Sequence, residues 1–384
     1  MAFNVLQTTV EITGQNPVAE YLRSEFSRMP QSSDPPDVII RVKPGFSSPP
    51  DDGATTNGNV YASDGTVFID RRISVPIRSP KNLIHNYVGT LGRQIRVVAL
   101  EDELRVTIRY DPRITARNVV VREGLRCISR SYIYRSQNLA KVILYNDIEP
   151  LLHQLLLDTD AAFIHASGIT FDEGTIVFSG WGGAGKTSVA THLLETGSRK
   201  LIADDLCLVC ADGTAQPYHK RVQVYPYNLD ESGTKRMMAG RSLPDQINWT
   251  LRRSLLGESA VRRRLLPDGI HPVCNKTRLD ISAVVYLTRE NRQEIIHERA
   301  TIENVTSRAV STIAHEFDTH VQTLRALSAA EPDIWPSIVS YLLSTRNVYE
   351  KAFIDTYRML VRIPRETKPA ELAEYIEKNV LNDV

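Results

Sequence analysis

The 384-residue chain has little charge of either sign to spare: 46 Lys and Arg stand against 45 Asp and Glu, for a net charge of +1. That balance removes the electrostatic case for nucleic acid or an anionic membrane surface as partner. Nor is there an uninterrupted run of apolar residues long enough to span a bilayer. The N-terminal stretch MAFNVLQTTVEITG lacks the charged-then-apolar layout of a secretory signal, so the cytoplasm is the expected location. Cysteine is scarce, with four in the whole chain, which excludes a disulfide scaffold. Cys207 and Cys210 form a lone C-x-x-C inside an apolar run and are expected to be packed strand thiols, not zinc ligands. Internal repeats and low-complexity segments are also missing.

What is present is organised around Gly180-Trp181-Gly182-Gly183-Ala184-Gly185-Lys186-Thr187, which reads G-x-x-x-x-G-K-[ST]. Phosphate calls for these residue types. Glycines let the backbone turn tightly and bring its N–H groups against phosphate oxygens. A helix opening directly after the loop adds its N-terminal amides and dipole. Lys186 is placed to reach the β- and γ-phosphates, and the Thr187 hydroxyl to ligate Mg²⁺. The context fits. Thr175–Phe178 is a β-branched and aromatic strand run, and Ser188–Thr196 sets Val189, Ala190, Leu193 and Leu194 on one helical face before Gly197. The competing reading is a glycine-rich turn between a strand and a helix. A nucleotide site is the expectation, with Gly180, Gly182, Gly183, Ala184, Gly185, Lys186, Thr187 and Ser188 as cofactor-binding residues.

Around the loop, residues 1–140 read as a mostly β module. It has a strand at Val5–Ile12, a helix at Pro17–Arg28, and loops through Pro35-Pro36 and Pro44–Asn59. Further strands are expected at Val38–Val42, Val67–Asp70, Ile95–Leu100, Leu104–Tyr110 and Val119–Arg122, the third and fourth of these as a hairpin. Residues 141–300 read as the catalytic core. There Lys141–Tyr145 is expected as a strand and Asp147–Thr159 as a helix. Phe163–Ile169 is expected to pair with the loop strand across Asp172-Glu173-Gly174. Asp204-Asp205 close an apolar strand, where α/β proteins collect ligands. Basic residues accumulate from Lys220 to Arg264, either as a solvated face or as a clamp on phosphoryl oxygens. Residues 301–384 read as mainly helical, at Val305–Phe317, Thr319–Ala329, Ile334–Ser344 and Lys368–Val380. A strand is expected at Tyr357–Ile363, and Thr367 as N-cap of the last helix.

Three elements in order carry a resemblance: Ile164-His165-Ala166-Ser167-Gly168, the phosphate loop, and Leu201-Ile202-Ala203-Asp204-Asp205. Together they resemble the catalytic domain of the HPr kinase/phosphorylase family, and Leu255–Arg262 is similar to a further segment of it. The resemblance covers about residues 140–290 and implies an α/β fold, a P-loop HPr-kinase-like domain. By position it implies Asp204 as the carboxylate that takes the acceptor proton and Asp205 as a Mg²⁺ contact. His165 would orient the acidic pair, and Arg262 would stabilise transition-state charge. The family's pattern has an acidic residue where this chain has Ser188. The expected function is an ATP-dependent kinase, with ATP and Mg²⁺, acting on a Ser-type hydroxyl of a protein or peptide. The alternatives are a small-molecule kinase and a nucleotide-binding regulatory module without efficient transfer. A homo-oligomer is left open.

Overall fold

The computed structural model describes residues 2–45, 54–56, 60–63, 66–70, 93–99, 103–110, 135–171, 174–195, 198–225, 240–258, 261–330, 332 and 335–381. The chain is mixed α/β and divides into two compact units. One comprises residues 1–149, 230–261 and 319–338; the other comprises 150–229, 262–318 and 339–384. Residues 141–149 thus fall with the N-terminal segment, and 319–338 leave the C-terminal tail for the first unit.

The first unit is built on an eight-stranded sheet. Its strands are β1 (Ala2–Val5), β2 (Thr8–Thr13), β3 (Val38–Pro44), β4 (Ala54–Thr56), β5 (Val60–Ser63), β6 (Thr66–Asp70), β7 (Arg93–Ala99) and β8 (Leu104–Tyr110). They lie in the order β1-β2-β3-β8-β7-β6-β5-β4. The strand expected at Val5–Ile12 is instead a hairpin, β1 pairing antiparallel with β2 across Leu6, whose φ is +57°. Strand β4 also interrupts the loop expected over Pro44–Asn59. Helix α1 (Pro17–Glu25) starts where the Asn16 side chain accepts from Ala19 N–H at 3.0 Å. The strand expected at Lys141–Tyr145 is helical, as α2 (Arg135–Ile143) followed by a π-turn at Leu144–Ile148. Leu139, Ala140, Ile143 and Leu144 are buried there, a helical spacing that packs against α1 and overrides the β-branched appearance of the run. The expected strand Val119–Arg122 lies outside the described residues.

Helix α3 (Glu149–Leu157) leads into the second unit, where α4 (Lys186–Glu195) follows the glycine loop. Helix α5 (Leu243–Leu256) belongs to the first unit, α6 (Ile302–Glu316) to the second and α7 (Asp318–Ala330) almost wholly to the first. Helices α8 (Ile338–Ala352) and α9 (Pro369–Asn379) end the chain. Lys368, not Thr367, is the N-cap of α9 and makes no side-chain cap bond. The Thr367 carbonyl is instead held by Arg289.

A nine-stranded sheet organises the second unit. Its strands are β9 (Ala161–Ile164), β10 (Ala166–Phe171), β11 (Gly174–Gly180), β12 (Lys200–Ala203), β13 (Cys207–Cys210), β14 (Thr214–Gln216), β17 (Leu279–Glu290), β18 (Ile296–Arg299) and β19 (Tyr357–Pro364). β15 (Val222–Val224) and β16 (Arg263–Leu265) pair separately. At the centre β11, β17 and β19 run parallel, with Val177, Phe178, Val284, Val285 and Val361 all buried, as β-branched and aromatic strands covered on both faces require. Strands β10 and β11 pair antiparallel as expected, Ala166 opposite Ser179, although Asp172 and Glu173 of their turn lie outside the described residues. The expected single strand Phe163–Ile169 breaks at His165. β9 pairs with β13, whereas β10 pairs with β11 and β12. Cys207 and Cys210 are buried in β13 as free thiols. Among the described residues, no helix is long and apolar enough to cross a membrane.

Candidate functional site

The glycine loop connects the C-terminal end of β11 to α4, as its sequence context requires. Val189, Ala190, Leu193 and Leu194 are buried, the face expected from their spacing, and this fixes the helix start beside the sheet. A Cβ on Gly180 would stand 2.4 Å from the Leu287 carbonyl oxygen, so the chain leaves β11 at a point only glycine fits. Gly183 has φ +82° and faces open space, leaving its backbone free to approach a ligand. Arg289, on β17, donates to the Gly183 carbonyl at 3.1 Å and to the Arg365 carbonyl at 2.6 Å. This strap between the loop and the end of β19 left no sequence signal.

Lys186 is buried, and its ammonium donates to the Gly180 and Trp181 carbonyls at 2.7 and 3.1 Å. Burial lowers its pKa to about 8, against the attraction of Asp205, Glu316 and Asp204. The cation is therefore desolvated, rests on neutral dipoles, and lies at a helix N-terminus whose first amides have no intrahelical partner. Ser188, in that first turn, is also buried.

The acidic pair sits where β12 ends. Ala203 is its last residue, and Asp205 takes φ +75°, a left-handed turn that aspartate tolerates better than most residues. Alternation along a strand would send adjacent side chains to opposite sides. The turn brings both to one site. Asp204 is buried, and its Oδ1 accepts from Ser167 Oγ at 2.6 Å and Thr187 Oγ1 at 2.8 Å. Burial raises its pKa, and the charge of Asp205 adds to this while the two hydroxyl bonds oppose it. Asp205 is more open, with a side chain 22% exposed, and its Oδ2 lies 3.2 Å from Lys220 Nζ.

His165 stands at the break between β9 and β10, where the chain passes from one set of strand partners to another. Its Nδ1 is 3.7 Å from Asp205 Oδ1 and its Nε2 is 3.5 Å from Glu316 Oε1. Burial, then the Lys186 charge, pushes its pKa down to about 3, so the ring is neutral. Glu316 closes α6, and burial followed by the charge of Asp205 raises its pKa. The neighbouring His315 ring lies 4.9 Å from that of Trp181, and Trp181, Tyr286, Asn304 and Arg308 help line an open groove of about 420 Å³ along α6.

Lys186, Thr187, Asp204, Asp205 and His165 thus meet through direct contacts or short distances. Arg262 is placed differently: it precedes β16 and donates to the Tyr225 hydroxyl at 3.0 Å. Sequence reasoning missed three members of the cluster. Ser167 was visible only as part of the strand motif that carries the resemblance, with no role assigned to it, Lys220 only as part of a basic run, and Glu316 lay at a helix end with nothing to mark it. Among the described residues no group of three or more His, Cys, Asp or Glu could hold a metal by itself. The Thr187 hydroxyl and Asp204 carboxylate are hard oxygen donors of the kind Mg²⁺ uses when substrate phosphates and water complete its shell. No protein-family model matches this chain, and no curated protein matches it.

Proposed function

We propose that the second unit is an ATP-dependent, HPr-kinase-like P-loop phosphotransferase acting on a hydroxyl acceptor, a Ser-type group on a protein or peptide. The observation that carries this reading is the buried Lys186 ammonium on loop carbonyls, one residue from a Thr187 hydroxyl bonded to a buried carboxylate. A glycine turn with only a structural role has no use for a desolvated cation and an acidic pair at its mouth. Phosphoryl transfer needs both.

The residues divide the work by exposure and neighbours. Thr187 and Asp204 would hold Mg²⁺, which neutralises phosphate charge when bound. Asp205, the more open carboxylate, is the one an acceptor hydroxyl can reach. This reverses the roles that position in the resembling family implies, since Thr187 bonds Asp204. Lys186 binds the β- and γ-phosphates, and neutral His165 fixes Asp205. The acceptor oxygen bonds to the γ-phosphorus as the bond to the β–γ bridging oxygen breaks. The hydroxyl proton passes to Asp205, and ADP leaves.

Incubation with γ-labelled ATP, Mg²⁺ and cell extract tests the reading, with label followed into protein, peptide and metabolite fractions. Label in protein or peptide that disappears with Lys186→Ala is expected. Label only in metabolites replaces the acceptor class, and nucleotide binding with no transfer leaves a regulatory module.

A further inference from the structure

Within the basic run between Lys220 and Arg264, one described residue belongs to the acidic pair. The segment after β14 returns to the end of β12, where Tyr218 bridges Ala203 and its N–H donates to the Ile202 carbonyl at 2.9 Å. His219 Nε2 lies 2.7 Å from the Cys274 carbonyl oxygen, so the backbone that carries Lys220 is anchored on both sides. The Lys220 side chain is 1% exposed, and its ammonium meets Asp205 Oδ2 at 3.2 Å and faces the Tyr218 ring at 5.8 Å. A lysine so deeply buried is costly unless paired, and its partner is the carboxylate an acceptor hydroxyl would need. Arg262, the cation the resemblance would use on the transferring group, is held at Tyr225.

We propose that Lys220 is a second phosphate-binding cation of this site. It is parked on Asp205 when no nucleotide is bound and drawn onto the γ-phosphate oxygens when ATP enters. The exchange would have two effects. It neutralises charge on the group being transferred, and it frees an Asp205 oxygen to accept the hydroxyl proton. A purely structural ion pair would hold Asp205 in place whichever nucleotide is bound. The inference rests on the kinase reading above, and the distinction between ATP and ADP separates the two.

The test is the affinity of the full chain for MgATP and MgADP. Trp181 lies in the loop at 44% exposure, whereas Trp249 and Trp335 are 4% and 7% exposed, so a fluorescence change on binding reports the loop. Wild type is expected to favour ATP over ADP by about tenfold or more, the equivalent of one charged contact of about 1.4 kcal/mol. Lys220→Met should lower that ratio about tenfold, to what Lys186 alone supplies, while ADP affinity stays near wild type. Asp205→Asn removes the parking partner without touching the lysine, so its preference for ATP should equal or exceed that of wild type. A wild-type ratio in Lys220→Met overturns the inference, and so does a reduced ATP preference in Asp205→Asn should Lys220→Met not fold. Wild-type protein that binds neither nucleotide overturns the kinase reading and this inference with it.

Discussion

Replacing Asp204 with asparagine should make the empty protein more stable and the nucleotide complex weaker. Asp204 is buried, and burial raises its pKa even though Ser167 and Thr187 both donate to it. A carboxyl whose pKa is higher folded than unfolded binds its proton more tightly in the folded state. Its contribution to stability therefore falls as pH rises from the unfolded value of 3.8 through the folded one, and burying the charge is a net cost. Asparagine keeps the shape and one oxygen for the two hydroxyls but has no charge to desolvate. A gain on the order of 1 kcal/mol is expected, worth roughly 2–4 °C in a unit of this size class. The same change removes a metal-side carboxylate, and losing about 1.5–3 kcal/mol raises the Kd for MgATP roughly 10–100-fold. At a concentration of 100 times the wild-type Kd, ligand adds about 2.7 kcal/mol to wild type but only about 0.4–1.4 kcal/mol to the variant. The two melting curves should thus cross, with the variant higher without MgATP and lower with it. Thermal melts with and without MgATP at neutral pH decide. A variant that melts below wild type when empty refutes the burial argument, and an undiminished ligand shift refutes the metal-side assignment.

Gly180→Ala should lower stability by about 1–3 kcal/mol and disturb nucleotide binding, because its Cβ would stand 2.4 Å from the Leu287 carbonyl oxygen; an unchanged urea midpoint would contradict the close approach. Asp205→Ala should be less stable than Asp205→Asn by about 1 kcal/mol, since asparagine tolerates φ +75° and alanine does not, while neither supports turnover; equal stabilities would remove the backbone argument. Burial pushes the His271 pKa down to about 4, so the folded state holds it neutral and about 3 kcal/mol of stability is lost as pH falls from 6.5 towards 4. His271→Gln should flatten that limb of the stability–pH curve, and an unaltered limb would assign the acid sensitivity elsewhere.

The loop and its helix were legible because their residues answer to local rules. Glycine, lysine and threonine at fixed spacing, β-branched residues before them and an apolar helical face after them need no tertiary information. Lys141–Tyr145 failed for the opposite reason. Val142, Ile143 and Leu144 suit a strand in isolation, and only packing against α1 decides for a helix. Thr367 had the chemistry of an N-cap, yet the chain turns one residue later and its carbonyl serves Arg289. Ser167, Lys220 and Glu316 come to the site from β10, from the return segment after β14 and from the end of α6. Contacts between residues that far apart in sequence leave no periodicity to read. His165 was visible as a histidine in an apolar run. Its use depends on the strand breaking there, which follows from two different pairing partners on either side.

The left-handed turn at Asp205 explains how two neighbouring carboxylates meet different partners. Had β12 continued in register, Asp205 would point away from Asp204 and one of them would leave the loop. With φ at +75°, Asp204 stays on the Thr187 side, sealed from solvent, and Asp205 swings to Lys220 and the neutral His165. A non-glycine residue in this region carries a backbone cost on the order of 1 kcal/mol. The Asp205 side chain is held by the Lys220 ion pair and lies beside the His165 ring, Nδ1 to Oδ1 at 3.7 Å. Both partners are charged or polar groups buried beside the same phosphate loop. The conformation, the buried lysine and the perturbed histidine therefore belong to one arrangement, in which the strand ends at Ala203 and both carboxylates stay beside the glycine loop.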